Sequence, residues 1–184
     1  DALPDFLFLH CASRRFPAAS IAVKKMTTIY LRPETQADLE FLYQLYASTR
    51  EQEMALTGWG ADQQEAFLRM QFDAQRTHYL RYYPNASFQI IEHQSRPIGR
   101  LYVDRWEKEI RIMDIALLPE FCGQGIGSRL IQTILDEGQQ SGKVVSIHVE
   151  QFNPARRLYL RLGFQLAEDK GVYHLMKWTP KGLD

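Results

Sequence analysis

Three glycines spaced two residues apart form the strongest chemical signal in the sequence. Gly123, Gly125 and Gly127 follow an apolar run that ends at Leu118, and they open an amphipathic helix. Glycine lets the backbone turn sharply and approach a bound group without a Cβ in the way. The N-terminus of the following helix offers unpaired N–H groups and the positive end of the helix dipole. This combination is typical of a loop that binds phosphate.

The spacing excludes two common phosphate loops. A dinucleotide-binding loop has the pattern G-x-G-x-x-G, and the third glycine here comes one position early. A Walker loop needs a lysine after its last glycine, whereas Gly127 is followed directly by Ser128. A glycine-rich turn that only caps an ordinary helix is the simpler alternative.

A second segment, residues 153–164, reads NPARRLYLRLGF. Asn before Pro is a favourable start of a helix, and Gly163 suits its end. Helical spacing points Tyr159 inward, where its hydroxyl needs a hydrogen-bond partner if it is buried. A tyrosine that only fills space in the core is the alternative.

Together the two segments resemble the Gcn5-related N-acetyltransferases, the GNAT family. The loop fits the family's pyrophosphate pattern Q/R-x-x-G-x-G/A, preceded by Pro119 and Glu120, and residues 153–164 are similar to its second signature. The resemblance extends from about Thr28 to Trp178. One position departs from the pattern, because the opening Arg or Gln is Cys122.

The resemblance implies transfer of an acetyl group from the co-substrate acetyl-CoA to a primary amine by direct attack. The Leu117 backbone amide would polarise the thioester carbonyl, and Tyr159 would protonate the leaving thiolate, which a phenol with a pKa of about 10 can do. Asn153 would bind the pantetheine arm, or cap its helix, or both. The pyrophosphate would be bound by Cys122, Gly123, Gln124, Gly125, Ile126, Gly127 and Ser128.

Three side chains are candidates for the general base. Asp114 lies on the strand before the loop, where the family sometimes has an acid that relays a proton through water. Glu150 and His148 share one face of the next strand by alternation, and histidine titrates in the right pH range. We prefer Asp114 and Glu150, although each has a structural alternative. A desolvated amine without a dedicated base is equally compatible with the sequence.

Two other kinds of chemistry have little support. Cys122 lies near a helix N-terminus, which favours a reactive thiolate, but no set of histidine and acid accompanies it. The five histidines are scattered without metal-ligand spacing, so we expect no metal site.

Acceptor recognition is expected on the loop between the first two helices and on the hairpin strands. Aromatic and apolar side chains could contact the acceptor, and acidic ones could attract a cationic amine. The candidates are Trp59, Met54, Tyr82, Tyr83, Trp106, Glu51, Glu53 and Asp104.

The composition is that of one ordinary globular domain. The chain has 184 residues, with 22 basic and 22 acidic side chains, so no net field favours nucleic acid or membrane partners. Its apolar runs are shorter than the roughly 20 residues of a membrane span. Cys11 and Cys122 do not make a disulfide framework, and a reducing cytoplasm is the default location.

The hydrophobic patterns predict the element order β-α-α-β-β-β-α-β-α-β-β. This order matches the α/β fold of the GNAT family, which has a mixed, mostly antiparallel central sheet flanked by helices. The resemblance also implies that strands 110–118 and 144–149 splay apart and hold the arm of the acyl carrier between them. Residues 51–61 are predicted to form a loop.

We expect the acetyltransferase domain to span residues 26–184 and residues 1–25 to form a leader or a disordered arm. The acceptor is left open among polyamines, amino sugars, amino acids and protein N-termini. A homodimer through the terminal hairpin is also left open. A non-catalytic module that binds acyl-CoA is the alternative function.

Overall fold

The structure, a computed structural model, describes residues 28–182. The predicted leader or arm and both predicted domain boundaries lie outside these residues and stay predictions. Within them the chain forms, in order, β1 (Ile29–Pro33), α1 (Leu39–Ala55), α2 (Ala61–Tyr82), β2 (Ser87–His93), β3 (Arg96–Arg105), β4 (Glu109–Leu117), α3 (Ile126–Ser141), β5 (Val144–Glu150), α4 (Arg156–Arg161), β6 (Gln165–Lys170) and β7 (Tyr173–Trp178).

All seven of these strands belong to one sheet, in the order β1-β2-β3-β4-β5-β7-β6. Only the pair β4–β5 is parallel, and the other five pairs are antiparallel. The predicted fold class, a mixed and mostly antiparallel sheet flanked by helices, is therefore confirmed.

Apolar cores cover both faces of the sheet. The larger core joins the sheet to α3 and α4, and α3 contributes the predicted stripe with Ile126, Ile131 and Leu135 fully buried. On the opposite face α1 and α2 pack around Leu42, Phe72 and Ile90. Glu40 and Arg69 connect these two helices at their exposed surface.

The parallel pair β4–β5 separates part-way along its length. Backbone pairing runs from Glu109 opposite Val144 to Ile112 opposite Ile147 and then ends. Both strands continue, β4 to Leu117 and β5 to Glu150. The splay that the family resemblance implied is thus present, and two strand edges face each other across a gap.

A β-bulge turns Asp114 away from the larger core. Tyr102 is opposite Asp114 and Val103 is opposite Ile112, so Met113 is the extra residue. Strict alternation after Ile112 would have placed Asp114 among the apolar residues of α3 and α4. Instead Ile115 and Leu117 resume that face, and Asp114 lies on the side of α1 and α2.

The predicted loop at residues 51–61 is wrong in its first half. Helix α1 continues to Ala55, because Met54 is buried against α2 and Arg50 pairs with Glu53 one turn later. Helix α2 begins at Ala61 with Gly60 as its N-cap. The remaining connection is residues 56–60.

Candidate active site

The glycine loop is shaped by two residues with left-handed backbone angles. A 3₁₀ turn at Pro119–Phe121 ends at Cys122, and then Gly123 has φ +73° and Gly125 has φ +80°. Residues with a Cβ rarely adopt these angles, so glycine is required for the reversal into α3.

The N–H groups that follow this turn point away from internal partners. Among residues 28–182, no backbone carbonyl accepts a hydrogen bond from the N–H groups of residues 123–128. The first one used by α3 is that of Arg129, which donates to Gly125 O at 3.1 Å. A Cβ added at Gly123 or Gly127 would meet nothing within 4 Å, so the loop surface is open. The loop therefore presents six donors to a ligand.

Cys122 differs from the rest of the loop. Its N–H donates to Pro119 O at 3.2 Å, so this amide is not available to a ligand. The sequence had led us to expect that it would bind the pyrophosphate. Its Sγ lies 3.6 Å from Leu118 O and 3.8 Å from Leu117 O. Carbonyl oxygens carry partial negative charge and disfavour a thiolate there, which argues against a reactive cysteine.

The Leu117 amide faces the gap between β4 and β5. The next amide, of Leu118, donates to Ile98 O on the β3 side at 2.8 Å. Successive N–H groups of an extended strand point to opposite edges, so the Leu117 N–H points away from β3. Its direction suits the predicted interaction with a carbonyl oxygen.

Tyr159 points inward, as helical spacing predicted, and is fully buried. Its ring packs edge-on against Phe164 with a centroid separation of 5.6 Å. The hydroxyl has no hydrogen-bond partner in the described part of the chain. Burial raises the pKa of Tyr159 well above 10, and the negative charge of Asp114 raises it further.

Asp114 is held in a polar cluster under α2. Arg100 Nη2 donates to Asp114 Oδ2 at 2.6 Å and to Gln75 Oε1 at 3.0 Å, and the Tyr79 hydroxyl lies 3.5 Å from the same carboxylate oxygen. Burial raises the pKa of Asp114, and Arg100 opposes this effect. The other oxygen, Asp114 Oδ1, has no partner among the described residues. The pair with Arg100 favours a structural and electrostatic role over direct contact with an acceptor.

Asn153 caps the turn that leads into α4. Its Oδ1 accepts a hydrogen bond from the Ala155 N–H at 2.9 Å, and the side chain is buried. The structural alternative is therefore present, while contact with a pantetheine arm stays a prediction.

Glu150 opens onto two cavities at the end of β5. One, of about 360 Å³, lies between α1, α2 and the sheet, and the other, of about 580 Å³, lies beside the turn between β6 and β7. Burial raises the pKa of Glu150, the positive charge of Arg50 lowers it, and Glu53 raises it. The Glu150 side chain forms no hydrogen bond or ion pair with any side chain of residues 28–182, so it can act on a ligand.

His148 is held by its neighbour on β4. Arg111 Nη1 lies 3.0 Å from His148 Nδ1. A guanidinium can only donate, so Nδ1 is the acceptor in this contact. A nitrogen engaged in this way is not available to take a proton from an ammonium, which disfavours His148 as the base.

Only some of the predicted acceptor contacts lie at the smaller cavity. Glu53 and Met54 line it. Trp59 packs edge-on against Phe67, a lining residue, with a ring-centroid separation of 5.2 Å. Trp106 donates to Asp104 at 2.7 Å in the turn between β3 and β4. The cavities are lined by none of Glu51, Tyr82, Tyr83, Trp106 and Asp104, and the role of these five in acceptor recognition stays a prediction.

Sequence reasoning missed Arg50, Tyr46 and Tyr173, which also line the smaller cavity. Arg50 follows Tyr46 by four residues on α1, so helical spacing could have placed them on one face. Tyr173 had no such signal, because only the pairing of β7 with β5 sets it opposite Glu150.

The order of elements and the geometry of the loop agree with a family comparison. The model of the acetyltransferase (GNAT) family matches residues 39–164, more than half of the chain. The chain belongs to the GNAT family.

Solved structures share this GNAT fold at low sequence identity. PaiA N-acetyltransferase from Thermoplasma acidophilum, in complex with coenzyme A, is 17% identical with a TM-score of 0.63, covering 83% of this chain and 99% of that one. The ribosomal-protein-S18-alanine N-acetyltransferase of Escherichia coli is 16% identical, with TM-score 0.57 and coverage of 83% and 94%. A GNAT acetyltransferase from Elizabethkingia anophelis with acetyl-CoA bound is 14% identical, with TM-score 0.55 and coverage of 82% and 97%.

No curated protein matches the sequence. Within the described range of this GNAT chain, no three His, Cys, Asp or Glu side chains are grouped so that they could hold a metal ion. The helices between residues 28 and 182 include none with the length and apolar character of a membrane span.

Proposed function

We propose that the protein transfers an acetyl group from acetyl-CoA to a primary amine by direct attack, without a covalent enzyme intermediate. The observation that carries this proposal is the gap between β4 and β5, together with the loop N–H groups of residues 123–128 that have no internal partner and a buried Tyr159 hydroxyl without a partner among the described residues. An unpartnered buried hydroxyl is costly unless a ligand satisfies it.

The residues of the loop fit a diphosphate. Six N–H groups at the start of α3 supply donors and a positive dipole end, and the open surface at Gly123 and Gly127 lets phosphate oxygens approach. The Leu117 N–H is directed to donate to the thioester oxygen as negative charge develops there. In this proposal Asn153 contacts the pantetheine arm from the β5 side.

Glu150 is the base in this proposal, in preference to Asp114. It lines the cavity that would hold the acceptor, while Asp114 is paired with Arg100 and lines neither cavity. Glu150 takes a proton from the ammonium, the amine nitrogen forms a bond to the acetyl carbon, and the bond from that carbon to sulfur breaks.

Tyr159 stabilises the leaving thiolate as a hydrogen-bond donor. Burial and the negative charge of Asp114 raise the pKa of Tyr159 well above 10, so the phenol is protonated when the thiolate forms. A protonated phenol donates a hydrogen bond to that thiolate. The resemblance suggested a general acid, and in this proposal Tyr159 acts as a hydrogen-bond donor.

The acceptor is a small molecule or a peptide end with a primary amine. The 360 Å³ cavity is lined by aromatic and aliphatic side chains together with Gln71, the acids Glu53 and Glu150 and the cation Arg50. Two acids against one cation suit an ammonium attached to a compact body. The larger neighbouring cavity leaves room for an acceptor that extends outward.

The test is release of free thiol from acetyl-CoA with spermidine, glucosamine, lysine and a tetrapeptide with a free N-terminus. We expect one of these classes to release thiol at a rate far above hydrolysis. We also expect acetyl-CoA to slow hydrogen exchange of the amides at residues 113–118 and 123–128. Thermal stabilisation by acetyl-CoA without thiol release from any amine would favour the non-catalytic binding module instead.

A cytoplasmic location stays a proposal, and so does a homodimer. The six residues of β6 are all exposed at the edge of the sheet, which is where a second copy could pair.

A further inference from the structure

Arg50 occupies an unusual position for a charged residue of α1. It is only 7% exposed, and it lines the same cavity as Glu150. Its guanidinium lies over the Tyr46 ring at 5.4 Å from the centroid. A buried cation needs a compensating charge, because desolvation of an unpaired ion is costly.

Glu53 supplies part of that compensation. Arg50 Nη1 donates to both oxygens of Glu53, at 3.0 and 3.1 Å, across one turn of α1. The Glu53 side chain is half exposed, whereas Arg50 is buried. The pair is therefore anchored on the helix, with its cation directed inward and its anion at the cavity rim.

Glu150 lines the same cavity as this pair. The other lining residues are Tyr46 and Met54 from α1, Phe67, Leu68 and Gln71 from α2, and Tyr173 from β7, while Asp169 lines the second cavity. His148, two residues earlier on β5, contacts Arg111. Arg50 is the cation among the groups that line the cavity with Glu150.

We propose that Arg50, anchored by Glu53, is a positioning residue that keeps the Glu150 carboxylate ionised inside the acceptor cavity. A half-buried carboxylate tends to take up a proton, and a protonated Glu150 could not accept one from the acceptor ammonium. This inference rests on the proposed function only in the use that it gives to the ionised Glu150 carboxylate. The effect of Arg50 on Glu150 can be measured without substrate.

The electrostatic couplings agree with this arrangement. The charge of Arg50 lowers the pKa of Glu150, and Glu53 raises it, although burial has the largest effect. Arg50 also lowers the pKa of Tyr173, against the larger effect of burial, so its field reaches the opposite wall of the cavity. Removal of Arg50 should consequently raise the pKa of Glu150, and removal of Glu53 should lower it.

The experiment is a pH titration of glutamate side-chain carboxyl groups by ¹³C NMR, on the whole chain without ligands. The Glu150 resonance is assigned from its loss in Glu150→Gln. We expect the titration midpoint of Glu150 to move to higher pH in Arg50→Gln and to lower pH in Glu53→Gln. Arg50→Lys, which retains the charge, should stay near the wild-type midpoint.

A merely structural role for Arg50 would reduce thermal stability without moving the Glu150 midpoint. An unchanged midpoint in both charge-removing variants, or a shift in the same direction in both, would overturn the proposal. If Arg50→Gln does not fold, Arg50→Met replaces it, because methionine fills a similar space without leaving a buried polar group. A shift of the Glu150 midpoint to higher pH in that variant supports the inference, and no shift or a downward one refutes it.

Failure of the proposed function is seen separately. It would appear as no thiol release with any amine, or as unchanged turnover in Glu150→Gln, whatever the titration shows. The titration reports the charge arrangement in the cavity, and the thiol assay reports its use.

Discussion

Single residues at the gap differ in how completely their polar atoms are satisfied. Asp114 Oδ2 is paired with Arg100, whereas Asp114 Oδ1 and the Tyr159 hydroxyl have no partner within residues 28–182. Glu150 is half-buried and faces open cavities. These three residues were grouped as catalytic candidates, and their surroundings now assign them different tasks in the proposed reaction.

Tyr159→Phe should lower kcat by roughly 10- to 100-fold, the value of one hydrogen bond to a charged group. A general acid that transfers its proton completely could contribute up to about 10⁴-fold. The measurement is thiol release at saturating acetyl-CoA. Tyr30→Phe, an exposed change on β1, is the matched control and should leave kcat unaltered. Equal kcat in Tyr159→Phe and wild type would remove Tyr159 from the mechanism.

Glu150→Gln and Asp114→Asn should separate activity from stability. Loss of Glu150 is expected to lower kcat/KM by roughly 10²-fold or more, with little change in the free energy of unfolding. Asp114→Asn leaves the buried Arg100 without its counter-charge and should cost about 3 kcal/mol in urea unfolding. Full activity in Glu150→Gln together with a stable, inactive Asp114→Asn would reverse our choice of base.

At the scale of elements, the N-terminus of α3 combines a structural and a binding property. Its unpaired donors stabilise a negative charge, whether that charge belongs to the protein or to a ligand. Gly99 shows how tightly the neighbouring strands are packed, since a Cβ there would lie 2.3 Å from Ala116 O on β4. The end of β4, with the Leu117 amide, is thereby held at a fixed distance from β3.

Gly127→Asp tests this helix end. The carboxylate should raise the free energy of unfolding by about 0.3–1 kcal/mol through the helix dipole. The same charge should repel the pyrophosphate and raise the KM for acetyl-CoA roughly tenfold or more. Gly127→Asn has similar size without the charge and should show a much smaller increase in KM. If the two variants bind acetyl-CoA equally well, the pyrophosphate does not lie at this terminus.

At the scale of the whole molecule, Asp38 ties together the first elements of the described chain. Its carboxylate accepts hydrogen bonds from Arg32 on β1 and from the N–H and hydroxyl of Thr35. Arg32 also donates to Glu92 on β2. Thr35 and Asp38 form a capping box, and Arg32 adds a charge to it.

Asp38→Asn should cost about 1–2 kcal/mol at pH 7, less than a fully buried pair because Arg32 reaches solvent. The Arg32 guanidinium lowers the folded-state pKa of Asp38 far below its ordinary value near 4. The stabilisation is therefore present above about pH 4 and is lost as the pH falls from there towards the lowered folded value. Urea unfolding at pH 7 and pH 3 should show a smaller difference between variant and wild type at pH 3. An equal difference at both pH values would show that the charge of Asp38 is not responsible.

Local patterns in the sequence were sufficient for the order of elements, the glycine turn and the inward direction of Tyr159. Each depends on residues within a few positions of one another, where backbone sterics and hydrophobic periodicity act directly. The fold class followed from the same local signals together with the resemblance that they support.

Contacts between distant segments decided the rest. The bulge at Met113 moved Asp114 onto Arg100, the pairing of β7 with β5 brought Tyr173 opposite Glu150, and the packing of α1 on α2 buried Arg50. Burial and charge pairing depend on residues far apart in the chain, because desolvation and Coulomb interactions act through space. The sequence alone predicted which elements form and where a phosphate would bind, while the tertiary structure pairs Asp114 with Arg100 and leaves Glu150 at the wall of a cavity.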